Sequence, residues 1–119
     1  MFQKNSFSVP SDSSGIFLVK VIQTRKCSTR KHAKIGRFLR VVVRNTKTML
    51  NRIKKKKSRA ICVRTKHHMY TRKGKVYEFH DNAIVLLKKR MNARGKELYG
   101  PTSKKLKIKK FRIAYRYVF

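Results

Sequence analysis

The chain has 119 residues, of which 34 are Lys or Arg and only 4 are Asp or Glu, a formal net charge of +30. A chain this cationic repels itself as it compacts, so it calls for a polyanion: a nucleic acid or, less densely charged, an anionic membrane surface. Hydrophobic residues make up 40% of it, with seven Phe and five Tyr, which excludes a purely disordered basic tail and fits one small domain over residues 1–119.

Residues 1–14 are polar and Ser-rich and read as a loosely held arm ending in the turn-prone run Ser11-Asp12-Ser13-Ser14-Gly15. Ile16 to Thr24 (IFLVKVIQT) is rich in β-branched and aromatic residues, a strand signal. Residues 25–34 form a basic loop, and Ile35 to Arg44 is a second strand whose arginines 37, 40 and 44 flank a Val run. Residues 45–57 are a polar loop closing on Lys54 to Lys57. Arg59 to Lys66 is a third strand, with Ile61 and Val63 on one face and Cys62 and Arg64 on the other.

Residues 67–75 (HHMYTRKGK) read as a hairpin tip turning at Lys73-Gly74, with Val76 to Phe79 returning. His80-Asp81-Asn82 is a turn, and Ala83 to Lys88 another strand. Gly95 and Gly100-Pro101 punctuate the next loop. Thr102-Ser103 after Pro101 predicts a cap for a short helix over 102–110. The aromatic tail 111–119 is a final strand or a packed terminal segment. Short strands at this spacing predict a mainly β fold, a small closed barrel without exposed sheet edges.

No apolar run approaches the ~20 residues needed to cross a bilayer, and residues 1–10 lack a secretory signal pattern. Cys27 and Cys62 are too few for a disulfide framework, so free thiols are expected, Cys62 buried within its strand. A secreted membrane-active protein is disfavoured on both counts. The use of Lys, Asn, Ile and Phe over Ala, Gly and Pro leans toward an AT-rich genome, compatible with an organelle-encoded gene.

The cations fall in clusters: Arg25, Lys26, Arg30, Lys31 and Lys34; Lys54, Lys55, Lys56 and Lys57 with Arg59; Arg72, Lys73 and Lys75; and Lys104, Lys105, Lys107, Lys109 and Lys110. Arg40, Arg44, Arg64 and Lys66 extend them along the predicted strands. A single cluster is ordinarily a solvated surface, but here few carboxylates are present to pair with it. Lysines suit phosphates as mobile point charges, and arginine adds planar bidentate donors and stacking on bases. Such contacts position a nucleic acid without reading its sequence. His67-His68 read as ribbon residues able to stack on a base or hydrogen-bond a phosphate; Tyr70, Tyr77, Tyr115 and Tyr117 are by type core or rim residues, with stacking on a base the alternative for Tyr70 beside Arg72.

Cys27 with His32 and Cys62 with His67 repeat one spacing, yet neither the C-x2–4-C nor the H-x3–5-H half of a zinc site occurs. No metal or other cofactor is expected. Catalysis has little material: the four acids are Asp12, Glu78, Asp81 and Glu97, Asp12 and Asp81 read as turn anchors, and no G-x-S-x-G elbow is present. The chain is read as a non-enzyme.

Six blocks then match a known family in order and at fixed spacing. Ser11 to Gly15 resembles the A-D-N-S-G opening of the large-subunit ribosomal protein fourteen family, and Ile35-Gly36 its second-strand entry. Arg59 to Thr65 (RAICVRT) resembles R-A-V-I-V-R-T, and Phe79 to Val85 (FHDNAIV) resembles F-D-D-N-A-A-V. Gly95 with Tyr99-Gly100-Pro101 is similar to G-T-R-I-F-G-P, and Ser103 to Lys107 stands where the family has A-R-E-L-R. The resemblance runs from Ser11 to Lys107. It departs at Arg37, where the family usually has Asp; at His80, for the first Asp of D-D-N; at Glu97, often Arg; at Lys105, for Glu; and in the tail AYRYVF, which lacks L-A-P-E-V.

The resemblance implies a five-stranded meander barrel with a projecting β-ribbon and a C-terminal helical region. It implies a structural constituent of the large ribosomal subunit that binds large-subunit rRNA through the basic residues above, near the subunit interface. As partners it implies small-subunit rRNA at a bridge, neighbouring ribosomal proteins of the large-subunit three and nineteen families, and a ribosome-silencing factor. With the composition and the divergent tail it points to a mitochondrial ribosome, another organellar or bacterial-type ribosome being the alternative. A free, DNA-compacting nucleoid protein is the competing reading; it would dimerise or present a groove-reading helix, and only a short helix is predicted here.

Overall fold

The computed structural model describes residues 2–24, 32–47 and 56–119. Nine strands occur in it: β1 Phe7–Pro10, β2 Ile16–Thr24, β3 Phe38–Thr46, β4 Lys57–Arg64, β5 Met69–Tyr70, β6 Val76–Tyr77, β7 Ala83–Leu87, β8 Pro101–Thr102 and β9 Tyr117–Val118, with one helix, α1, at Lys109–Ala114 between the last two.

Strands β1, β2, β3, β4 and β7 close into a barrel in that order. Neighbours run antiparallel until the closing β1–β7 pair, which is parallel. An odd number of alternating strands leaves its two ends pointing the same way, so a five-stranded meander can close only through one parallel pair. Closure removes the free edges that would otherwise pair with other chains.

Alternation builds the barrel interior. Val19 and Val21 of β2 and Leu39, Val41 and Val43 of β3 are buried, while Arg40 and Arg44 stand outward and exposed. β4 and β7 differ, because both of their faces are covered. Ala60, Cys62, Ile84 and Leu86 join the interior. Ile61, Val63, Val85 and Leu87 pack instead against Leu106, Phe111 and Tyr115 from the C-terminal segment. That second layer is why RAICV and AIVLL read as continuous apolar runs.

Three expectations change. The expected arm 1–14 is not loose over its described residues 2–14: Phe2 is 1% exposed and its backbone bonds Ala33 in both directions, while β1 is a barrel strand. The Ser-rich composition concealed β1 because its inward residues are Ser8 and Pro10, with Phe7 and Val9 outward; Ser8 Oγ donates to the Asn82 carbonyl at 2.9 Å. The helix does not span 102–110 but 109–114. Thr102 pairs with Val118 in β8–β9 and its hydroxyl donates to the Val63 carbonyl at 3.1 Å, so it caps nothing, and Ser103 Oγ accepts from the Lys105 N–H in a tight turn. Finally, β3 starts at Phe38, since Lys34 to Arg37 is a turn with Gly36 at φ +82° and the Arg37 N–H donating to the Lys34 carbonyl.

Between β4 and β7 the chain projects as a two-stranded ribbon, β5–β6, whose tip closes at Gly74. The tail folds back so that β9 lies parallel to β8. No helix among the described residues is long and apolar enough to cross a membrane.

Candidate nucleic-acid interface

The four carboxylates are all engaged within the chain. Asp12 is buried and accepts from the Ser14 N–H at 3.3 Å, Ser14 Oγ at 2.5 Å and the Leu86 N–H at 3.4 Å, which makes it the loop anchor its sequence position predicts. Glu78 Oε2 meets His68 Nδ1 at 3.0 Å. Glu97 Oε2 accepts from the Tyr99 hydroxyl at 3.2 Å, which pushes the Tyr99 pKa up. Asp81 meets Arg64. Among the described residues, Arg64 is therefore the one Lys or Arg paired with a carboxylate.

Arg64 itself is placed differently from the expectation. Its guanidinium, at 8% exposure of the residue, donates through Nε and Nη2 to both Asp81 oxygens at 2.9 and 3.0 Å, and through Nη1 to the carbonyls of Tyr99 and Pro101 at 2.8 and 3.2 Å. These bonds occupy the donors that a phosphate would need, so the structure gives Arg64 a clasp role between β4, the 80–82 turn and the strand β8. Asp81 is thereby drawn from its expected backbone role; Asn82 keeps it, accepting from the Lys66 N–H at 2.9 Å.

The other predicted cations that fall on described residues, Lys34, Arg40, Arg44, Lys56, Lys57, Arg59, Lys66, Arg72, Lys73, Lys75, Lys104, Lys105 and Lys107, are all exposed. Arg25, Lys26, Arg30, Lys31, Lys54 and Lys55 lie outside the described residues, as do Cys27, Met49 and Leu50. The structure brings the exposed cations together in three places. Arg72, Lys73 and Lys75 ring the ribbon tip. On the barrel wall, Arg40 and Arg59 stand directly opposite each other across β3 and β4, near Lys57, which faces Val42. Like charges in direct cross-strand register destabilise a sheet unless an anion sits between them.

The third place is a groove of about 510 Å³ where the turn 34–37, residues 65–70 and residues 105–107 meet. Three backbone features fix it. The Gly36 N–H donates to the Cys62 carbonyl at 2.8 Å, and the Cys62 N–H to the Arg37 carbonyl at 3.0 Å. A Cβ at Gly36 would lie 3.5 Å from the Lys105 carbonyl oxygen, so the two loops are in van der Waals approach. Lys34, Arg37, Lys105 and Lys107 stand around the groove, with His67, His68 and Tyr70 on the ribbon side. Arg37, which stands where the family usually has Asp and so favours phosphate contact, is brought to the groove by the turn. The convergence of loops remote in sequence is not visible in any local pattern.

A second concavity, about 890 Å³, separates the ribbon from the tail and is more apolar, with Val76, Tyr77, Phe79, Pro101, Val118 and Phe119 among its lining residues. The Tyr77 and Ser103 hydroxyls are hydrogen-bonded across its base. Val76, Tyr117, Phe119 and Ile113 of α1 are exposed large apolar residues on this side of the molecule.

Cys62 is fully buried, and burial pushes its thiol up to about 12, which removes it from nucleophilic or ligand chemistry at neutral pH. The Tyr115 hydroxyl, hydrogen-bonded to Ser11 Oγ at 2.9 Å, is raised to about 12 by burial.

A family model described as ribosomal protein L14p/L23e matches residues 1–116. The large ribosomal subunit protein uL14m of Tetrahymena pyriformis is 36% identical over 111 residues, covering 93% of each chain.

Proposed function

Since the chain belongs to the ribosomal protein L14p/L23e family, we propose that its exposed cations bind large-subunit rRNA. The chain is a structural constituent of the large ribosomal subunit, not an enzyme, and its place is the mitochondrial ribosome. The observation that carries the RNA reading is electrostatic. Of all the Lys and Arg among the described residues only Arg64 meets a carboxylate, so the remaining charge is neutralised from outside the chain. Each phosphate contact releases condensed counterions, and the barrel holds the cations on a rigid wall so that little order is lost on binding.

The finer placement rests on the family resemblance: a position near the subunit interface, contact with small-subunit rRNA at a bridge, and packing against neighbours of the large-subunit three and nineteen families. The exposed apolar residues Ile113, Tyr117 and Phe119 beside the tail support a protein neighbour on that side. A silencing factor docking near the subunit interface is proposed on the resemblance alone.

The test is binding of the full chain to its large-subunit rRNA across a salt series, with the double variant Arg40→Gln, Arg59→Gln. Removing two phosphate-binding cations lowers the log–log salt slope by roughly 1.5, at ~0.7–0.9 for each phosphate neutralised. Folding is unharmed, since an opposed like-charge pair is removed. An unchanged slope and affinity would show that the barrel wall does not face RNA.

A further inference from the structure

We propose that the groove between residues 34–37, 65–70 and 105–107 holds a single unstacked RNA nucleotide, its base against the Tyr70 ring and its flanking phosphates on Arg37, Lys105 and Lys107. This deepens the rRNA reading above and rests on it. Phosphate neutralisation alone needs only a convex basic surface, as the barrel wall supplies. A concavity of about 510 Å³ is in the range of pockets that enclose a small planar ligand.

Its lining is divided in the way a nucleotide is. Ile35 and Met69 are partly or fully buried and Thr65 is 2% exposed, so the floor joins two apolar side chains to one hydroxyl-bearing one. The cations stand at the rim. A base presents an apolar face to the first and a phosphodiester to the second. One carboxylate, Glu78, approaches the lining residues, held at 3.0 Å by His68 Nδ1 and half exposed to solvent that screens it, against four cations, Lys34, Arg37, Lys105 and Lys107, around the groove.

Tyr70 is the sharper indication. It is 67% exposed, and among the described residues neither its ring nor its hydroxyl has a partner within the chain. Its backbone is set in the ribbon, on β5, in register with Val76 of β6. An exposed, unpartnered aromatic on a ribbon beside a cationic rim is the arrangement that stacks extruded bases, which is how proteins recognise RNA loops and bulges rather than continuous duplex. A paired base could not enter, because its face is covered by its own neighbours in the stack.

The experiment uses the full chain and two RNA hairpins, one fully paired and one carrying a single bulged 2-aminopurine, at a fixed ~0.15 M salt. The bulged hairpin binds more tightly and its fluorescence is quenched on binding. Tyr70→Ala weakens the bulged hairpin about five- to one-hundredfold, the range of one base stack, and leaves the paired hairpin unchanged; Tyr70→Phe retains the preference. Lys105→Gln with Lys107→Gln lowers the salt slope for the bulged hairpin by roughly 1.5. Tyr70 is exposed, so its variants fold. Equal binding of both hairpins without quenching overturns the groove assignment and leaves the rRNA reading standing. Failure of the chain to bind either hairpin at any salt overturns both. Competition by polyglutamate that depends on Tyr70 assigns the groove to an acidic peptide and overturns the nucleotide.

Discussion

Replacing Arg64 with Met keeps the aliphatic stem and removes the guanidinium with its four hydrogen bonds. Asp81 is 58% exposed at its side chain and rehydrates when released, so its share is that of a screened pair, about 0.5–1 kcal/mol. The carbonyls of Tyr99 and Pro101 each lose a charged donor, about 1 kcal/mol apiece. The sum is about 2–3 kcal/mol, which for a chain of this size lowers Tm by roughly 8–12 °C. Gly100 supplies the control. It sits at φ +78°, and a Cβ there would lie 2.4 Å from Arg64 Nη1. Gly100→Ala therefore brings about 1 kcal/mol of left-handed strain and also displaces the clasp. In the Arg64→Met background only the strain remains, so the two substitutions couple by about 1–2 kcal/mol. Thermal unfolding in roughly 1 M salt, where the Debye length is ~3 Å and self-repulsion is muted, reads the cycle. Additive effects, or an Arg64→Met variant as stable as the parent, would refute the clasp.

Three other outcomes are expected. Cys62 and Tyr115 contribute a loss of stability as pH rises from about 9 toward 12, because the folded chain holds protons on them that the unfolded chain releases earlier; in denaturant melts at roughly 1 M salt, where self-repulsion is muted, the parent loses more stability over that range than Cys62→Ala with Tyr115→Phe. Gly95→Ala lowers stability in a denaturant melt by about 1–3 kcal/mol, since its Cβ would lie 2.8 and 3.0 Å from the Ser13 and Ser14 backbone nitrogens, which cannot move aside as a side chain can. Neutralising Lys54, Lys55, Lys56 and Lys57 to Gln lowers the salt slope of rRNA binding by roughly 3–4 if all four face phosphates; a slope that does not move would place the reach into RNA elsewhere.

The barrel was legible where inward residues are apolar. β2 runs over the residues its β-branched pattern predicts, and β4 and β7 stood out as apolar runs. β1 escaped because the barrel admits Ser8 and Pro10 inward and bonds the serine to a carbonyl. The helix was misplaced because a threonine after proline satisfies a cap and a two-residue parallel strand equally well in sequence; only the distant Val63 carbonyl decides. Charge showed which residues face solvent, but not which of them meet. The acceptors of Arg64 lie 17, 35 and 37 residues away, and the groove joins three loops that no local period connects. Its membership is a property of closure, not of any segment.

The opposed arginines on β3 and β4 explain why the charge must be read together with the fold. In water two unit charges some 6 Å apart repel by about 0.7 kcal/mol, tolerable against a closed apolar core. A flexible chain would relieve it by moving the cations apart. A closed barrel can do so only through the side chains, because register keeps the backbones of Arg40 and Arg59 opposite each other whether or not an anion is present. The free protein therefore keeps these cations on neighbouring strands, where splaying their side chains costs rotamer freedom. No carboxylate stands ready to answer them, since Asp12, Glu78, Asp81 and Glu97 are each committed elsewhere in the chain. A phosphate entering between such residues gains attraction from both and removes the repulsion between them, so rigidity and charge together make the wall bind more strongly than the same cations would on a mobile tail.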